Sequence, residues 1–177
     1  MNSQARTSSP ARNLAIAGLL LAIGIVLPYF FMLFGTEPGK IFSPMDLTIL
    51  LGGLILGWRY GLALGIVTPI LSSVLTHMPP LFPIAITMMF QLGVMGLVTG
   101  LLRNKVNNFI NVVIAEIIAN IVYAVVLIIL LGMRHHHVAL EAALFGVFIK
   151  GFPGILLQWI IIPYLAKVLK KAGVYNG

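Results

Sequence analysis

Apolar residues run along almost the whole chain, and short stretches that are polar or rich in proline and glycine interrupt them. The interruptions leave six apolar segments, approximately 11–33, 46–57, 60–76, 80–102, 108–132 and 139–167. A helix needs about 20 residues to span a bilayer, so the second and third segments are short. The stretch "GWRYG" (57–61) separates these two and predicts a tight turn. The alternative is one long broken helix over 46–76, which would give five spans.

The distribution of basic residues decides between six and five spans. With six spans and a cytoplasmic N-terminus, the outer loops hold Lys40 and Arg134, and Lys150 lies within the last helix. The inner side then holds Arg6, Arg12, Arg59, Arg103, Lys105, Lys167, Lys170 and Lys171. This excess follows the positive-inside rule, whereas five spans would place the C-terminal lysines outside. The pattern therefore predicts six transmembrane helices with both termini in the cytoplasm.

The composition supports an all-α integral membrane protein of one domain over 1–177. The chain is 60% hydrophobic and 8% charged, with a mean hydropathy of +1.07. A soluble protein of this size could not bury so much apolar surface. The net charge of +7 reflects membrane topology better than nucleic-acid binding. We read the first apolar run as a retained helix, because no cleavage site of small residues in a polar stretch follows it.

Several function classes lack their motifs. The chain has no GxxxxGK[ST] loop and so cannot hydrolyse ATP by itself. It shows no internal repeat, no cofactor motif, and no paired carboxylates or Ser/His/Asp set placed in the membrane, so we expect no enzyme activity. Cysteine is absent, which excludes thiolate metal sites. The stretch "RHHH" brings His135, His136 and His137 together, and we expect a solvated outer loop there rather than a metal site.

Polar residues at membrane depth indicate a binding site. Glu116, Asn120 and Tyr123 share one face of the fifth helix, and Gln91 and Lys150 fall at similar depth in the fourth and sixth helices. Intramembrane ionisable groups are costly, so each one requires a partner or a function. One interpretation is structural pairing, for example of Glu116 with Lys150. The other is a pocket that opens to the outside and hydrogen-bonds a small polar ring.

The stretch "HMPPLFP" predicts the outer mouth of that pocket. Its prolines favour a non-helical start to the fourth helix, with His77 and Met78 at the lip. The alternative is a stiff connector with no ligand contact. The loop over 34–46 is long enough to act as a lid. Candidates for stacking on the ring are Tyr29, Phe82, Phe90 and Tyr123.

The first helix carries small residues at four-residue spacing: Ala11 and Ala15, then Gly18 and Ala22. Such spacing lets a second helix approach closely. We expect this stripe to dock a partner helix, with packing inside the protein as the equally weighted alternative.

Taken together, these features resemble the substrate-binding S component of energy-coupling factor (ECF) vitamin transporters. The resemblance covers nearly the whole chain and is most specific in "LGGLILGWRYGLALGIVTPILSSVL" (51–75), which is similar to the family's "GxRyG" turn. Trp58 stands where many members have proline. The resemblance implies vitamin capture at a bacterial plasma membrane, with release driven by a transmembrane subunit and two cytoplasmic ATPase subunits. It also implies that Ala11 and Ala15 dock on the transmembrane subunit.

The stretch "MPPLFPIAITMMFQLGVMGLVTGLL" resembles the branch linked to hydroxymethylpyrimidine, a thiamine precursor, and to pyridoxine-like rings. Glu116 with nearby amides suits an aminopyrimidine edge better than a carboxylate ligand. Lys150 keeps pantothenate open as an alternative. A self-sufficient small transporter and a structural membrane protein without a ligand are the remaining hypotheses.

Overall fold

The computed structural model describes residues 9–32, 44–132 and 140–171. Within these ranges, the side chains of Tyr29, Phe31, Met32 and residues 140–153 are not described. The predicted lid loop, the "RHHH" stretch and the extreme termini lie outside the described residues. The described part of the chain contains helices and no strand, which confirms the all-α class.

Six helices of at least three turns follow one another along the described chain. Their bounds are α1 Pro10–Met32, α2 Pro44–Leu56, α3 Trp58–Thr76, α4 Ile86–Leu101, α5 Asn108–Gly132 and α6 Leu140–Lys171. α1 and α2 begin at proline, whose missing N–H is not needed in the first helical turn. The main difference from the predicted bounds is at α6, which continues to Lys171.

Four helical segments are long and apolar enough to cross a membrane. They are Pro10–Pro28, Trp58–Thr76, Leu81–Leu101 and Asn108–Gly132, and Pro44–Leu56 is a shorter apolar helix. On α5 the exposed side chains are apolar, whereas Glu116 and Asn120 are buried. This arrangement suits lipid outside and polar groups inside the bundle. These segments make the chain a multi-pass membrane protein.

The turn between α2 and α3 depends on a single glycine. Gly57 has φ +91°, a left-handed conformation that glycine adopts without a steric penalty. Its N–H donates to the carbonyl of Gly53 (3.0 Å), and its own carbonyl accepts from Gly61 (3.0 Å). The chain therefore reverses at the predicted "GWRYG" stretch, and α2 and α3 are separate helices.

Glycines bring the backbones of α3 and α4 into direct contact. A Cβ on Gly61 would collide with the carbonyl of Gly96, and a Cβ on Gly65 would collide with the carbonyl of Leu92. Small residues at such positions allow close packing where no hydrophobic effect drives helices together. The two helices are antiparallel, because Gly61 meets Gly96, whereas Gly65, which is later on α3, meets Leu92, which is earlier on α4. We call this contact the glycine seam.

The connection between α3 and α4 is not a regular helix. His77 ends α3 in a left-handed conformation (φ 59°), and the Ser72 hydroxyl donates to the carbonyl of Met78 (2.8 Å). A π-helical turn, Leu81–Ala85, then precedes α4, and Phe82 within it has non-helical dihedral angles. The peptide bonds Met78–Pro79 and Phe82–Pro83 are cis. The expected non-helical start of this segment is therefore present.

Four helices form a closed ring of contacts. α2 packs on α4, α4 on α5, α5 on α6, and α6 on α2, while α1 packs on α2 and α3. α2 and α5 are thus on opposite sides of this ring. Polar side chains that point into it are enclosed on all sides by helices.

Candidate functional site

The inward face of α5 combines small residues with polar ones. Ala115, Glu116, Ala119, Asn120 and Ala124 are all buried. The alanines leave room beside the polar groups, because their side chains are short. Glu116 and Asn120 are one helical turn apart and so lie on the same face. Glu116 is only 2% exposed and Asn120 only 5%.

Gln91 of α4 meets this face directly. Its Nε2 donates a hydrogen bond of 3.0 Å to Oδ1 of Asn120, and the Gln91 side chain is 7% exposed. Further along the same helix pair, Nδ2 of Asn111 donates to the carbonyl of Thr99 (2.9 Å). These two bonds set the register of α4 against α5 and bring the predicted pair Gln91 and Asn120 together.

Glu116 is held by a residue that the sequence analysis did not single out. The indole Nε1 of Trp159, on α6, donates a hydrogen bond of 2.6 Å to Oε2 of Glu116. Trp159 also packs edge-to-face on Phe109, with ring centroids 6.1 Å apart. Oε1 of Glu116 is buried and has no hydrogen-bond partner among the described residues. One carboxylate oxygen is therefore fixed, and the other retains its full capacity to accept hydrogen bonds.

Asp46 is a second acidic residue at this site. The sequence analysis placed it at the end of the outer loop, but the structure places it in the first turn of α2, where it is half-buried. Asp46 interacts electrostatically with Glu116. The expectation that the membrane region contains no paired carboxylates stays a prediction. An acidic residue in a first turn also complements the helix dipole, so its local sequence gave no reason to assign it to a site.

The depth of Asp46 follows from the packing of α2 on α4. A Cβ on Gly53 would lie 2.9 Å from the carbonyl oxygen of Gly96, so these two residues are level with each other. Asp46 precedes Gly53 by seven residues, or about 10 Å of helix. α4 runs in the same direction as α2, so the matching position on α4 is seven residues before Gly96, at residue 89. Asp46 is therefore near the level of Gln91 and its partner Asn120.

The other predicted site residues are nearer one end of the bundle. Tyr123 is half-buried on the Glu116 face of α5, about 10 Å further along the helix. His77 is exposed at the end of α3, in the connection that precedes the π-helical turn. Lys150 precedes Trp159 by nine residues, about 13 Å of α6, and its side chain is outside the described set.

The remaining candidates contribute less to the enclosed set. Met78, Phe82 and Phe90 are all exposed, and the side chain of Tyr29 is not described. The described residues contain no group of three or more His, Asp or Glu side chains that could hold a metal ion. The buried polar set thus consists of carboxylates and amides, which recognise N–H and O–H groups of a small molecule.

The predicted docking stripe on α1 is open. Ala11, Ala15, Gly18 and Ala22 are all exposed, and a Cβ built on Gly18 meets no atom within 4 Å. Leu14, one turn from the stripe, is 67% exposed. The stripe therefore leaves exposed surface to which a second helix could pack.

Comparison with known proteins bears on this site and this stripe. No curated protein and no solved structure matches the chain. Residues 12–166 match the family described as "ECF transporter, substrate-specific component". The match includes parts of all six helices. The chain therefore belongs to the family of substrate-specific components of ECF transporters.

Proposed function

We propose that this protein captures hydroxymethylpyrimidine or a pyridoxine-like ring for an ATP-driven importer of a bacterial plasma membrane. The observation that carries the proposal is the buried set formed by Glu116, Gln91 and Asn120, with one carboxylate oxygen that has no partner among the described residues. An unpaired polar atom in a buried site is costly unless a ligand satisfies it. A small ring with N–H and O–H groups has the chemistry to do so, with Tyr123 and Lys150 nearer the mouth.

The proposed orientation has six spans, both termini in the cytoplasm, and the connection with His77 on the outside. The site then opens toward the side from which a substrate arrives. Components of this family work with an ECF transmembrane subunit and with ATPases, and the family consists of transporter components rather than enzymes. We infer that this chain has no catalytic role of its own.

Ligand binding by the purified protein tests the proposal. Calorimetry against hydroxymethylpyrimidine, pyridoxine, pantothenate, riboflavin, thiamine and folate should show tight binding of a ring of the proposed class. Glu116→Gln and Asn120→Ala should weaken it. Asn108→Ala is the control, because Asn108 is half-buried at the start of α5, about 18 Å before Asn120. Tight binding of pantothenate alone would redirect the assignment, and no binding at all would contradict it.

The open stripe on α1 supports the proposed docking of the transmembrane subunit. Ala15→Leu and Gly18→Leu should abolish co-purification with the transmembrane and ATPase subunits while leaving ligand binding intact, because a larger side chain prevents close helix approach. Ala63→Leu is the control, since Ala63 is an exposed alanine of α3 away from the stripe. Transport by the chain without any partner would instead favour a self-sufficient transporter.

A further inference from the structure

We propose that Asp46 is a second ligand-binding carboxylate, and that Asp46 and Glu116 together select a small ring whose nitrogen edge is cationic. This proposal rests on the proposed function and extends it with a residue and with the charge of the ligand. The ligand class is amidine-like: an exocyclic amine beside a ring nitrogen that accepts a proton. Recognition is non-covalent.

The placement of the two carboxylates supports this proposal. Asp46 is on α2 and Glu116 is on α5, on opposite sides of the ring formed by α2, α4, α5 and α6. Asp46 is near the level of Gln91 and Asn120, and Glu116 is one turn from Asn120. A ligand enclosed by these four helices therefore has one carboxylate on each of two sides and the amide pair beside it.

The hydrogen bonding of Glu116 supports it as well. The side chain is 2% exposed, and Trp159 donates to Oε2. Oε1 is equally buried and has no hydrogen-bond partner within the described part of the chain. Buried polar atoms of native proteins are normally satisfied. This carboxylate oxygen is therefore open to a donor that arrives with the ligand.

The charges at the site also support the proposal. Asp46 acts on Glu116 electrostatically and has the same sign, and burial makes the charged form of both groups costly. Two carboxylates enclosed in a membrane protein need a compensating charge or several N–H donors. A cationic amidine-like edge supplies both, because its N–H groups form charge-assisted hydrogen bonds with carboxylates. An anionic ligand such as pantothenate meets repulsion at the same place.

The test compares two probes that differ by one amine. Hydroxymethylpyrimidine carries a 4-amino group, and its analogue with hydrogen at that position keeps the ring and the hydroxymethyl arm. Calorimetry would measure both probes and pantothenate on the purified wild-type protein. The same series would be run on Asp46→Asn, Glu116→Gln and the double variant, with thermal stability recorded for each.

The matched control is Glu141→Gln. It also removes one negative charge, at the first turn of α6, and Glu141 precedes Trp159 by 18 residues, about 27 Å of helix. It should bind like the wild type. Asp46→Asn and Glu116→Gln should each lower the affinity for the amino probe by about tenfold or more, as expected for hydrogen bonds to charged groups. They should change the affinity for the amine-free analogue much less.

The outcomes separate this proposal from the one on which it rests. Tight binding of the amino probe that Asp46→Asn leaves unchanged would overturn the role of Asp46 and leave the capture function standing. Tight binding of pantothenate, or equal binding of the two rings, would overturn the charge selection. If no probe binds the wild type, the proposed substrate fails and this inference fails with it. If Asp46→Asn does not fold, comparing the binding of the two rings to the wild-type protein still tests the charge selection.

Discussion

At the scale of single residues, the orientation of Glu116 depends on a donor from a different helix. Trp159 reaches Oε2 through its indole N–H at 2.6 Å, while its ring packs on Phe109. The indole supplies one hydrogen bond and a large apolar surface, so it suits a site that is polar on one side only. Trp159 therefore positions the carboxylate rather than merely filling space.

Trp159→Phe removes the donor and keeps an aromatic ring against Phe109. We expect the free energy of unfolding to fall by about 1 kcal/mol, in the range measured for hydrogen bonds between transmembrane helices. Ligand binding should weaken about fivefold, equivalent to about 1 kcal/mol, because Glu116 is no longer held in one orientation. Calorimetry and thermal unfolding measure the two effects.

Trp58→Phe is the control for that substitution. Trp58 is exposed at the start of α3, where Arg59 stacks on its ring at 5.2 Å. Its replacement should leave ligand affinity unchanged. Equal losses of affinity in both variants would show that Trp159 acts only through general packing.

Sequence patterns revealed part of this site and concealed the rest. Glu116 and Asn120 stand out because polar residues are rare in an apolar run, and their spacing places them on one face. Trp159 resembles an ordinary lipid-facing or core aromatic, and Asp46 resembles a helix-capping acid. Only the packing of four helices shows that Trp159 contacts Glu116 and that Asp46 acts on it electrostatically, and that packing depends on contacts distant in sequence.

At the scale of elements, the glycine seam fixes the position of the site. α4 carries Gln91, and its register against α3 is set where Gly61 and Gly65 meet the backbone of Gly96 and Leu92. Any side chain at these positions would push the two helices apart. Gln91 would then move relative to Asn120.

Gly65→Ala should destabilise the protein by about 1–3 kcal/mol, the usual cost of overpacking. The added Cβ would collide with the carbonyl of Leu92, and backbone cannot move aside as a flexible side chain can. Ligand affinity should fall as well, because α4 shifts. Thermal unfolding and calorimetry are the measurements.

Gly18→Ala is the matched substitution in open space, since nothing lies within 4 Å of its Cβ. It should be neutral or slightly stabilising, because alanine is the better helix former. A loss of stability as large as that of Gly65→Ala would contradict the role of the seam.

The helices themselves were more predictable than their arrangement. Apolar runs and the "GWRYG" turn indicate where each helix begins and ends, because bilayer thickness and glycine geometry act locally. Register between helices depends on which surfaces fit, and no short stretch encodes it. Counting residues along the helices placed Lys150 level with Glu116, which stays a prediction, and it did not find Trp159, nine positions later, whose indole contacts Glu116.

At the scale of the whole molecule, function depends on which end of the bundle faces outward. The basic residues favour a cytoplasmic location for the end of the bundle that carries the α2–α3 turn and the α4–α5 connection. The opposite end carries the connection after His77, and Asp46 is in the first turn of α2 at that end. In the proposed orientation, this end faces the side from which an external ligand arrives.

Single-cysteine labelling tests this orientation without background, because the chain contains no cysteine. Met78→Cys should react with a membrane-impermeant maleimide in intact cells. Asn107→Cys, in the connection between α4 and α5, should react only after the membrane is opened. Both positions are exposed, so a lack of reaction reflects the membrane and not burial. The reverse pattern would show that the site faces the cytoplasm.

The bond between Trp159 and Glu116 also gives the molecule an optical reporter. The chain has only two tryptophans, so Trp58→Phe leaves a single fluorophore, with its indole N–H on the proposed ligand-binding carboxylate. Indole emission responds to nearby charge, and a ligand that binds Glu116 changes the field at that ring. Ligand occupancy of this buried site would thus change the tryptophan fluorescence of the unlabelled protein, which can be followed in a bilayer in real time.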